Sequence, residues 1–189
     1  MGLKLHVIIC STRPGRIGPS VAHWFSDYAK ANSAFDIDLV DLADFNLPVF
    51  NEPKHPVLRD YQHDHTKRWS ASVESADAYV FVIPEYNHCP PPSFYNALNY
   101  LVKEWGYKPA AFVGYAGGVS GGLRAIQQAK TLVTTLRMVA INEGVMIPMV
   151  GSLIDENKNF KTNELIDTSA QALLNELHRW AVALKPMRS

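Results

Sequence analysis

The sequence predicts an α/β domain built around a parallel β-sheet, and three observations support this prediction. Five short runs are almost continuously apolar, as expected for strands that helices cover on both faces. Segments of helical periodicity separate these runs. The chain has 189 residues, of which 47% are hydrophobic and 19% charged, so a single compact domain spanning residues 1–189 is expected.

The predicted elements alternate regularly along the chain. The first helix follows from the helical spacing of Ile17, Val21, Phe25 and Tyr28, and Pro19 suits its first turn. The predicted strands are residues 5–10, 37–42, 79–83, 110–115 and 145–150. The further predicted helices are residues 66–76, 93–105, 122–142 and 163–185. Five strands and five helices fit either a flavodoxin-like or a Rossmann-like sheet, and periodicity does not decide between them.

Charge and cysteine content exclude several classes of protein. Eighteen basic and 18 acidic residues give no net charge, so the chain lacks the positive field that draws proteins to nucleic acids or anionic membranes. Its two cysteines, Cys10 and Cys89, are too few for a secreted disulfide framework. The N-terminus shows no secretory signal pattern, and no apolar run approaches the roughly 20 residues of a membrane span. We therefore expect a cytoplasmic protein that binds neither nucleic acid nor membrane.

Residues 46–64 differ from the rest of the chain. The segment is rich in Pro, His and Asn, and it is too long for an ordinary connection, so a binding loop or lid is expected. His63 and His65 have an H-x-H spacing, but no cysteine or second cluster supports a metal site. We expect no bound metal.

The first strand-to-helix junction, residues 11–20, has the composition of a phosphate cradle. Ligands of a doubly wound sheet bind outside the carboxyl ends of the strands. Here hydroxyls, two arginines and flexible glycines precede a helix whose N-terminal N–H groups point outward. No Gly-Lys-Ser/Thr and no GxGxxG motif is present. Anion binding is the preferred interpretation.

The same junction permits a second interpretation, a phosphatase. Cys10 and Arg16 have the C-x5-R spacing of enzymes in which a thiolate attacks phosphorus while an arginine holds the phosphoryl oxygens. Those enzymes have Ser or Thr after the arginine, where this chain has Ile17, and their Asp-Pro acid is absent. A buried cysteine at the end of a strand is the more common situation.

Two later junctions suit a flat polar heterocycle. In residues 84–98, prolines stiffen the backbone around Tyr86 and Asn87, so that an aromatic ring and an amide lie at the sheet edge. Residues 114–125 are rich in glycine and supply bare backbone that a ring could approach closely. Either loop alone is ordinary, but three such loops at one edge predict a binding site.

Together the three loops resemble the NADPH-dependent FMN reductase family, which includes flavin-dependent quinone, azo-dye and chromate reductases. The resemblance covers residues 4–150, and its most specific element is Pro-Glu-Tyr-Asn. The matching positions are Ser11, Arg13, Pro84, Glu85, Tyr86, Asn87, Pro91, Asn96, Ala97 and Gly117 through Ala125. The sequence departs from the family at Arg16, Gly18, Cys89, Tyr95 and Tyr115.

The resemblance implies a flavodoxin-like three-layer sandwich, with a five-stranded parallel sheet in the order 2-1-3-4-5 and helices on both faces. It implies bound FMN, NADPH or NADH as hydride donor, small-molecule electron acceptors, ping-pong turnover and a homodimer. The residues expected at the phosphate are Ser11, Arg13, Arg16, Ile17 and Gly18, and those at the flavin ring are Pro84, Glu85, Tyr86, Asn87, Gly117 and Gly118. The residues expected at the substrates are His88, Tyr115 and Arg124.

No catalytic side chain is expected, because the flavin carries the redox chemistry. The phosphatase remains an alternative, and so does a flavin-binding electron carrier or redox sensor without turnover. Such carriers are usually strongly acidic, whereas this chain has no net charge.

Overall fold

Five strands form one parallel sheet in the order β2-β1-β3-β4-β5. A computed structural model describes residues 2–188, so the two end residues of the predicted domain lie outside the description. The strands are β1 (Lys4–Ile9), β2 (Asp36–Asp41), β3 (Ala78–Pro84), β4 (Pro109–Tyr115) and β5 (Val139–Ile147). This order confirms the flavodoxin-like sheet and excludes the Rossmann order.

The five helices divide between the two faces of the sheet. They are α1 (Gly18–Asn32), α2 (Asp64–Ser75), α3 (Pro92–Asn99), α4 (Leu123–Thr135) and α5 (Glu164–Leu184). Apolar residues of α1 and α5 form one core with one face of the sheet, and those of α2, α3 and α4 form a second core with the other face. The side chains of β1 alternate between the two cores, since Val7 and Ile9 belong to the first and Ile8 to the second.

The boundary between α4 and β5 corrects the sequence prediction. A helix over residues 122–142 and a strand over 145–150 were expected, but α4 ends at Thr135 and β5 begins at Val139. Arg137 has a left-handed backbone (φ 61°), and the amide of Met138 donates to the carbonyl of Val133. This is the usual way in which a helix terminates. The predicted helix 93–105 is likewise shorter, because α3 ends at Asn99 and a separate 3-10 turn follows at Lys103–Trp105.

The amino-terminal edge of the sheet is closed by structural contacts. Nζ of Lys108 donates to the carbonyls of Val73 and Glu74 at the end of α2, at 2.9 and 3.0 Å, and to the Tyr79 hydroxyl at 3.1 Å. Burial lowers the pKa of Lys108 to about 7. A cation at a helix C-terminus complements the helix dipole, so Lys108 in its protonated form stabilises the end of α2. Within residues 2–188 no helix is long and apolar enough to cross a membrane.

Candidate functional site

The three junctions meet at the carboxyl edge of the sheet. β3 lies between β1 and β4, and Pro84 pairs with Tyr115 at the ends of β3 and β4. The chain stays paired just beyond the strands, since the amide of Cys10 donates to Val82 at 3.1 Å and that of Glu85 to Tyr115 at 3.1 Å. The first and third junctions therefore flank the second, as the parallel topology requires.

The first junction presents unpaired backbone donors. Helix α1 has no capping side chain and no acidic residue in its first turn. In the described chain, the amides of Thr12, Arg13 and Ile17 donate to no other group. The side chain of Arg13 is exposed, and within residues 2–188 its only hydrogen bond goes to the adjacent carbonyl of Pro14. Free N–H groups at a helix N-terminus beside a cation form an anion-binding site.

Arg16 lies in a different position from Arg13. Its guanidinium forms an ion pair with Asp41, the last residue of β2, which is paired with Ile9 in the ladder. Asp41 also accepts a hydrogen bond from the amide of Ala43 at 3.0 Å. Arg16 is therefore held at the β2 side of the junction and partly neutralised there.

Gly18 allows α1 to start against β4. A Cβ at this position would lie 2.8 Å from the Tyr115 hydroxyl and 3.3 Å from Cγ2 of Ile9. Tyr115 itself is buried, and burial, with Tyr86 adding to it, raises the pKa of its hydroxyl well above the ordinary value. Tyr115 is therefore neutral and forms part of the floor beneath the first and third junctions.

The second junction is a tight turn. Tyr86 and Cys89 exchange two backbone hydrogen bonds of 2.9 Å, and Asn87 and His88 between them both have positive φ, 50° and 68°. Two left-handed residues in this position define a type I′ turn. The hydroxyl of Tyr86 lies 2.7 Å from Oγ of the buried Ser11, which joins this turn to the first junction.

The third junction combines constrained and open glycines. Gly121 and Gly122 have φ of 60° and 85°, and a Cβ on Gly122 would lie 2.6 Å from the backbone N of Tyr115. A Cβ on Gly117 or Gly118, in contrast, would have no atom within 4 Å. The first pair sets the course of the chain into α4, and the second pair leaves bare backbone open to a ligand.

Arg124 and His88 contact each other across the second and third junctions. Nη1 of Arg124 lies 2.7 Å from Nε2 of His88, and Gln128 donates to the His88 carbonyl at 3.1 Å. Because arginine only donates, His88 accepts at Nε2 and is neutral in this arrangement. Among the described residues no carboxylate forms an ion pair with Arg124, although its amide donates to Glu85.

A pocket of about 210 Å³ opens where these loops meet. The sequence-predicted residues that line it are Arg13, Ile17, Pro84, Glu85, Tyr86, Tyr115 and Gly117. The sequence-predicted residues that do not line it are Ser11, Arg16, Gly18, Asn87, Gly118, His88 and Arg124. Of these, Ser11 bonds the lining residue Tyr86, whereas Arg16 pairs with Asp41. The volume is below the roughly 300 Å³ of a typical small-molecule pocket.

The thiol of Cys10 is unsuited to nucleophilic catalysis. The side chain is fully buried, and Sγ donates to the carbonyl of Ile8 at 3.4 Å. Burial raises the pKa of the thiol well above its ordinary value, and Asp41 raises it further. A phosphatase cysteine has the opposite character, with a lowered pKa and access to substrate. The structure therefore argues against the phosphatase alternative.

Hydrogen bonds hold the segment 46–64 together and also join it to Tyr100, which follows α3. The carboxylate of Glu52 accepts hydrogen bonds from the amides of Gln62 and His63 at 2.8 and 3.1 Å. The hydroxyl of Tyr100 donates to the carbonyl of Pro48 at 3.1 Å. His63 and His65 stack on each other with centroids 5.1 Å apart. Among residues 2–188, no group of three or more potential metal ligands is found.

Sequence reasoning missed three polar residues of the site. Asp41 pairs with Arg16, Ser120 donates to Glu85 at 2.8 Å, and Ser93 donates to the carbonyl of Cys10. Asp41 ends the strand beside β1, so the order 2-1-3 already places it next to the first junction. That order was available as a signal. The contact of Ser120 depends on the conformation of the third junction and that of Ser93 on the placement of α3, and neither has a sequence pattern.

Comparison with known proteins decides the family. The family model described as NADPH-dependent FMN reductase matches residues 3–151. The chain belongs to this family. The enzyme is 38% identical over 152 residues to an NAD(P)H-dependent FMN reductase of Nectria sp., with 77% of this chain and 75% of that protein covered.

One further relative and one solved structure extend the comparison. The reductase is 28% identical over 173 residues to a 2-hydroxy-1,4-benzoquinone reductase of Burkholderia sp., with 87% of this chain and 88% of that one covered. A solved structure of FerB, a flavoenzyme NAD(P)H:(acceptor) oxidoreductase from Paracoccus denitrificans, superposes with a TM-score of 0.77 at 20% identity. That comparison covers 96% of this chain and 98% of FerB and supports the fold.

The protein is thus an FMN-dependent NAD(P)H oxidoreductase, and the geometry of this chain fits its cofactor. The uncapped start of α1 and the exposed guanidinium of Arg13 suit a phosphate. The open backbone at Gly117 and Gly118 suits a flat ring, because a side chain there would occupy the space.

Proposed function

We propose that this reductase passes electrons from NAD(P)H to quinones or similar small acceptors, such as azo dyes, metal ions or free flavin, in a ping-pong order. The proposal rests on two open features that lie side by side at one edge of the sheet. The free amides of the first junction adjoin the pocket that Gly117 borders. The quinone is proposed because the Burkholderia relative is named for one.

The phosphate of FMN is assigned to the first junction. The amides of Thr12, Arg13 and Ile17 supply donors that have no partner among the described residues, and the charge of Arg13 forms no ion pair with any of those residues. Ser11, Arg16 and Gly18 support this cradle from below and from the β2 side. Hydrogen bonds to a charged phosphate contribute about 1.5–3 kcal/mol each, so the loop provides much of the affinity.

The flavin ring is assigned to the edge formed by the second and third junctions. Pro84, Tyr86 and Gly117 line the pocket, while Asn87, Gly118 and Glu85 complete the two loops around it. FMN, when bound, supplies the chemistry of accepting a hydride from NAD(P)H and returning electrons to an acceptor. The chain's own contribution is to orient two flat molecules in turn against one open face.

We propose that the substrates bind at three further residues, His88, Tyr115 and Arg124. Arg124 offers a guanidinium without a carboxylate partner near the ring edge, which suits an anionic group of NAD(P)H. Neutral His88 holds that guanidinium, and buried Tyr115 keeps the floor uncharged. We further propose that residues 1–189 form one domain, that the enzyme is a homodimer and that it works in the cytoplasm, where thiols such as Cys10 and Cys89 stay reduced.

Steady-state kinetics test the proposed reaction. NADPH oxidation by the FMN-loaded enzyme is followed at several fixed concentrations of a benzoquinone, with an azo dye as a second acceptor. A ping-pong order predicts parallel double-reciprocal lines. Intersecting lines would contradict it, and a rate that no acceptor raises would favour an electron carrier or sensor without turnover.

The phosphate assignment is tested by replacing Arg13 with glutamine. FMN affinity should fall about 10-fold, whereas affinity for riboflavin, which lacks the phosphate, should be unchanged. Arg179→Gln is the matched control, because Arg179 is exposed on α5 and, in the part of the chain that the structure describes, pairs only with Glu176. Equal losses for FMN and riboflavin would place the phosphate elsewhere.

A further inference from the structure

The carboxylate of Glu85 is engaged by α4. Oε1 accepts a hydrogen bond from Oγ of Ser120 at 2.8 Å, and Oε2 accepts from the amides of Arg124 at 3.1 Å and Ala125 at 3.4 Å. Glu85 belongs to the wall of the 210 Å³ pocket, yet all of the hydrogen bonds of its side chain lead away to another element. A residue expected at the flavin ring is thus bonded to a helix.

These contacts complete the hydrogen bonding at the start of α4. The first turn of a helix has amides with no partner inside the helix. The N-cap residue is Gly122, which has no side chain to offer. Leu123 donates to the carbonyl of Ser120, and Glu85 accepts from the two amides that follow. A remote residue therefore caps this helix, and its negative charge also suits the helix dipole.

Tyr86, the residue after Glu85, makes the corresponding contact on the opposite side of the chain. The hydroxyl of Tyr86 reaches Ser11 in the first junction, while the carboxylate of Glu85 reaches the third. Successive side chains of an extended segment point to opposite sides, so two consecutive residues can hold two different loops. Residues 85 and 86 therefore link all three junctions through contacts within the chain itself.

The two helix N-termini at this edge consequently differ. The start of α4 already holds a carboxylate, whereas the start of α1 has neither a capping side chain nor an acidic residue. An anion therefore finds free donors at α1 and occupied donors at α4. The phosphate and ring assignments above follow the same division.

We propose that Glu85 is a positioning residue, which fixes the second junction on α4 and so sets the spacing of the loops around the flavin before FMN binds. The inference rests on the proposed location of FMN. Binding to a preformed site avoids the cost of ordering loops, so losing this contact weakens binding. Glu85 acts through loop spacing and contributes no proton to the reaction.

The test compares Glu85→Ala with Glu85→Gln and uses the FMN-free enzyme first. Hydrogen exchange of the Arg124 and Ala125 amides should become about 5- to 10-fold faster in Glu85→Ala. It should be largely restored in Glu85→Gln, whose side-chain carbonyl still accepts from them. Unchanged exchange in Glu85→Ala would overturn the capping role.

The second readout is FMN affinity, measured by quenching of flavin fluorescence well below the unfolding temperature. Glu85→Ala should weaken FMN binding about 5- to 10-fold, and Glu85→Gln less than 3-fold. Glu164→Gln is the matched control, because Glu164 lies exposed in the first turn of α5. A lower unfolding temperature with unchanged FMN affinity would show a merely structural role and overturn the proposal.

A third variant covers the case in which Glu85→Ala does not fold. Ser120→Ala removes the contact to Oε1 and leaves the backbone contacts to Oε2, so it should weaken FMN binding about 2- to 3-fold. Unchanged affinity would then refute the proposal. If the wild-type enzyme retained no FMN, the proposed site would fail, while the exchange of the two amides would still decide whether Glu85 caps α4.

Discussion

Replacing Gly122 with alanine should destabilise the enzyme severely, for two reasons. Gly122 has φ of 85°, and a left-handed backbone costs an alanine about 1–2 kcal/mol. The new Cβ would also lie 2.6 Å from the backbone N of Tyr115 and 2.8 Å from Cα of Gly114. These atoms belong to the buried strand β4 and cannot rotate away, so a further cost of about 1–3 kcal/mol is expected.

The total of about 3 kcal/mol corresponds to a fall in Tm of roughly 6–12 °C for a protein of this size. Two other glycines distinguish the cost of the left-handed backbone from the cost of the close contact with β4. Gly15 has φ of 71° but open space around it, so Gly15→Ala should cost only about 1 kcal/mol. Gly117 has neither constraint, so Gly117→Ala should change stability by less than about 0.5 kcal/mol.

The assay is urea unfolding of the FMN-free variants, followed by circular dichroism. We expect the loss of stability to be largest for Gly122→Ala, smaller for Gly15→Ala and smallest for Gly117→Ala. A Gly122→Ala variant no less stable than Gly15→Ala would show that β4 can yield, and would refute the argument from close approach.

Three further predictions follow from the same structure. Gly117→Ala should fold normally yet bind FMN about 10-fold more weakly, because its methyl group enters the open space assigned to the ring; unchanged FMN affinity by fluorescence titration would contradict that assignment. Burial lowers the pKa of His6 from 6.5 to about 4, so the neutral side chain's contribution to the free energy of unfolding is complete above pH 6.5 and is lost towards pH 4, about 3 kcal/mol in all. Urea unfolding from pH 7 to 4 should show a smaller decline in this free energy for His6→Gln than for the wild type, and an equal decline would disprove the prediction. A thiol reagent should modify half-buried Cys89 in the native enzyme and buried Cys10 only on unfolding, so two rapid equivalents would be inconsistent with the core described here.

The sequence predicts much of this fold because its elements have strong, local signals. Strands β1 to β4 were located to within a residue or two, since β1, β3 and β4 are largely apolar runs and β2 carries Ile, Leu and Val between aspartates. The start of β5 was misplaced because Val139, Ala140 and Ile141 suit a helix or a strand equally. The left-handed turn at Arg137 decides between them, and no residue type marks it in advance.

The candidate site was predictable at the level of loops more than of contacts. Topology places three junctions at one edge, so residues chosen from each of them lie together. The direction of each side chain was not predictable, as Glu85 and Arg16 illustrate. Both were expected at the cofactor, and this stays a prediction. The structure adds that Glu85 caps α4 and that Arg16 pairs with Asp41, because long-range contacts decide which way a loop residue points.

A crystal structure of the enzyme with FMN tests the central claim most directly. We expect the phosphate on the free amides of the first junction, close to Arg13, with the ring against Tyr86 and Gly117. A phosphate at the start of α4, or a flavin in the hollow at the amino-terminal edge beside Lys108, would contradict it.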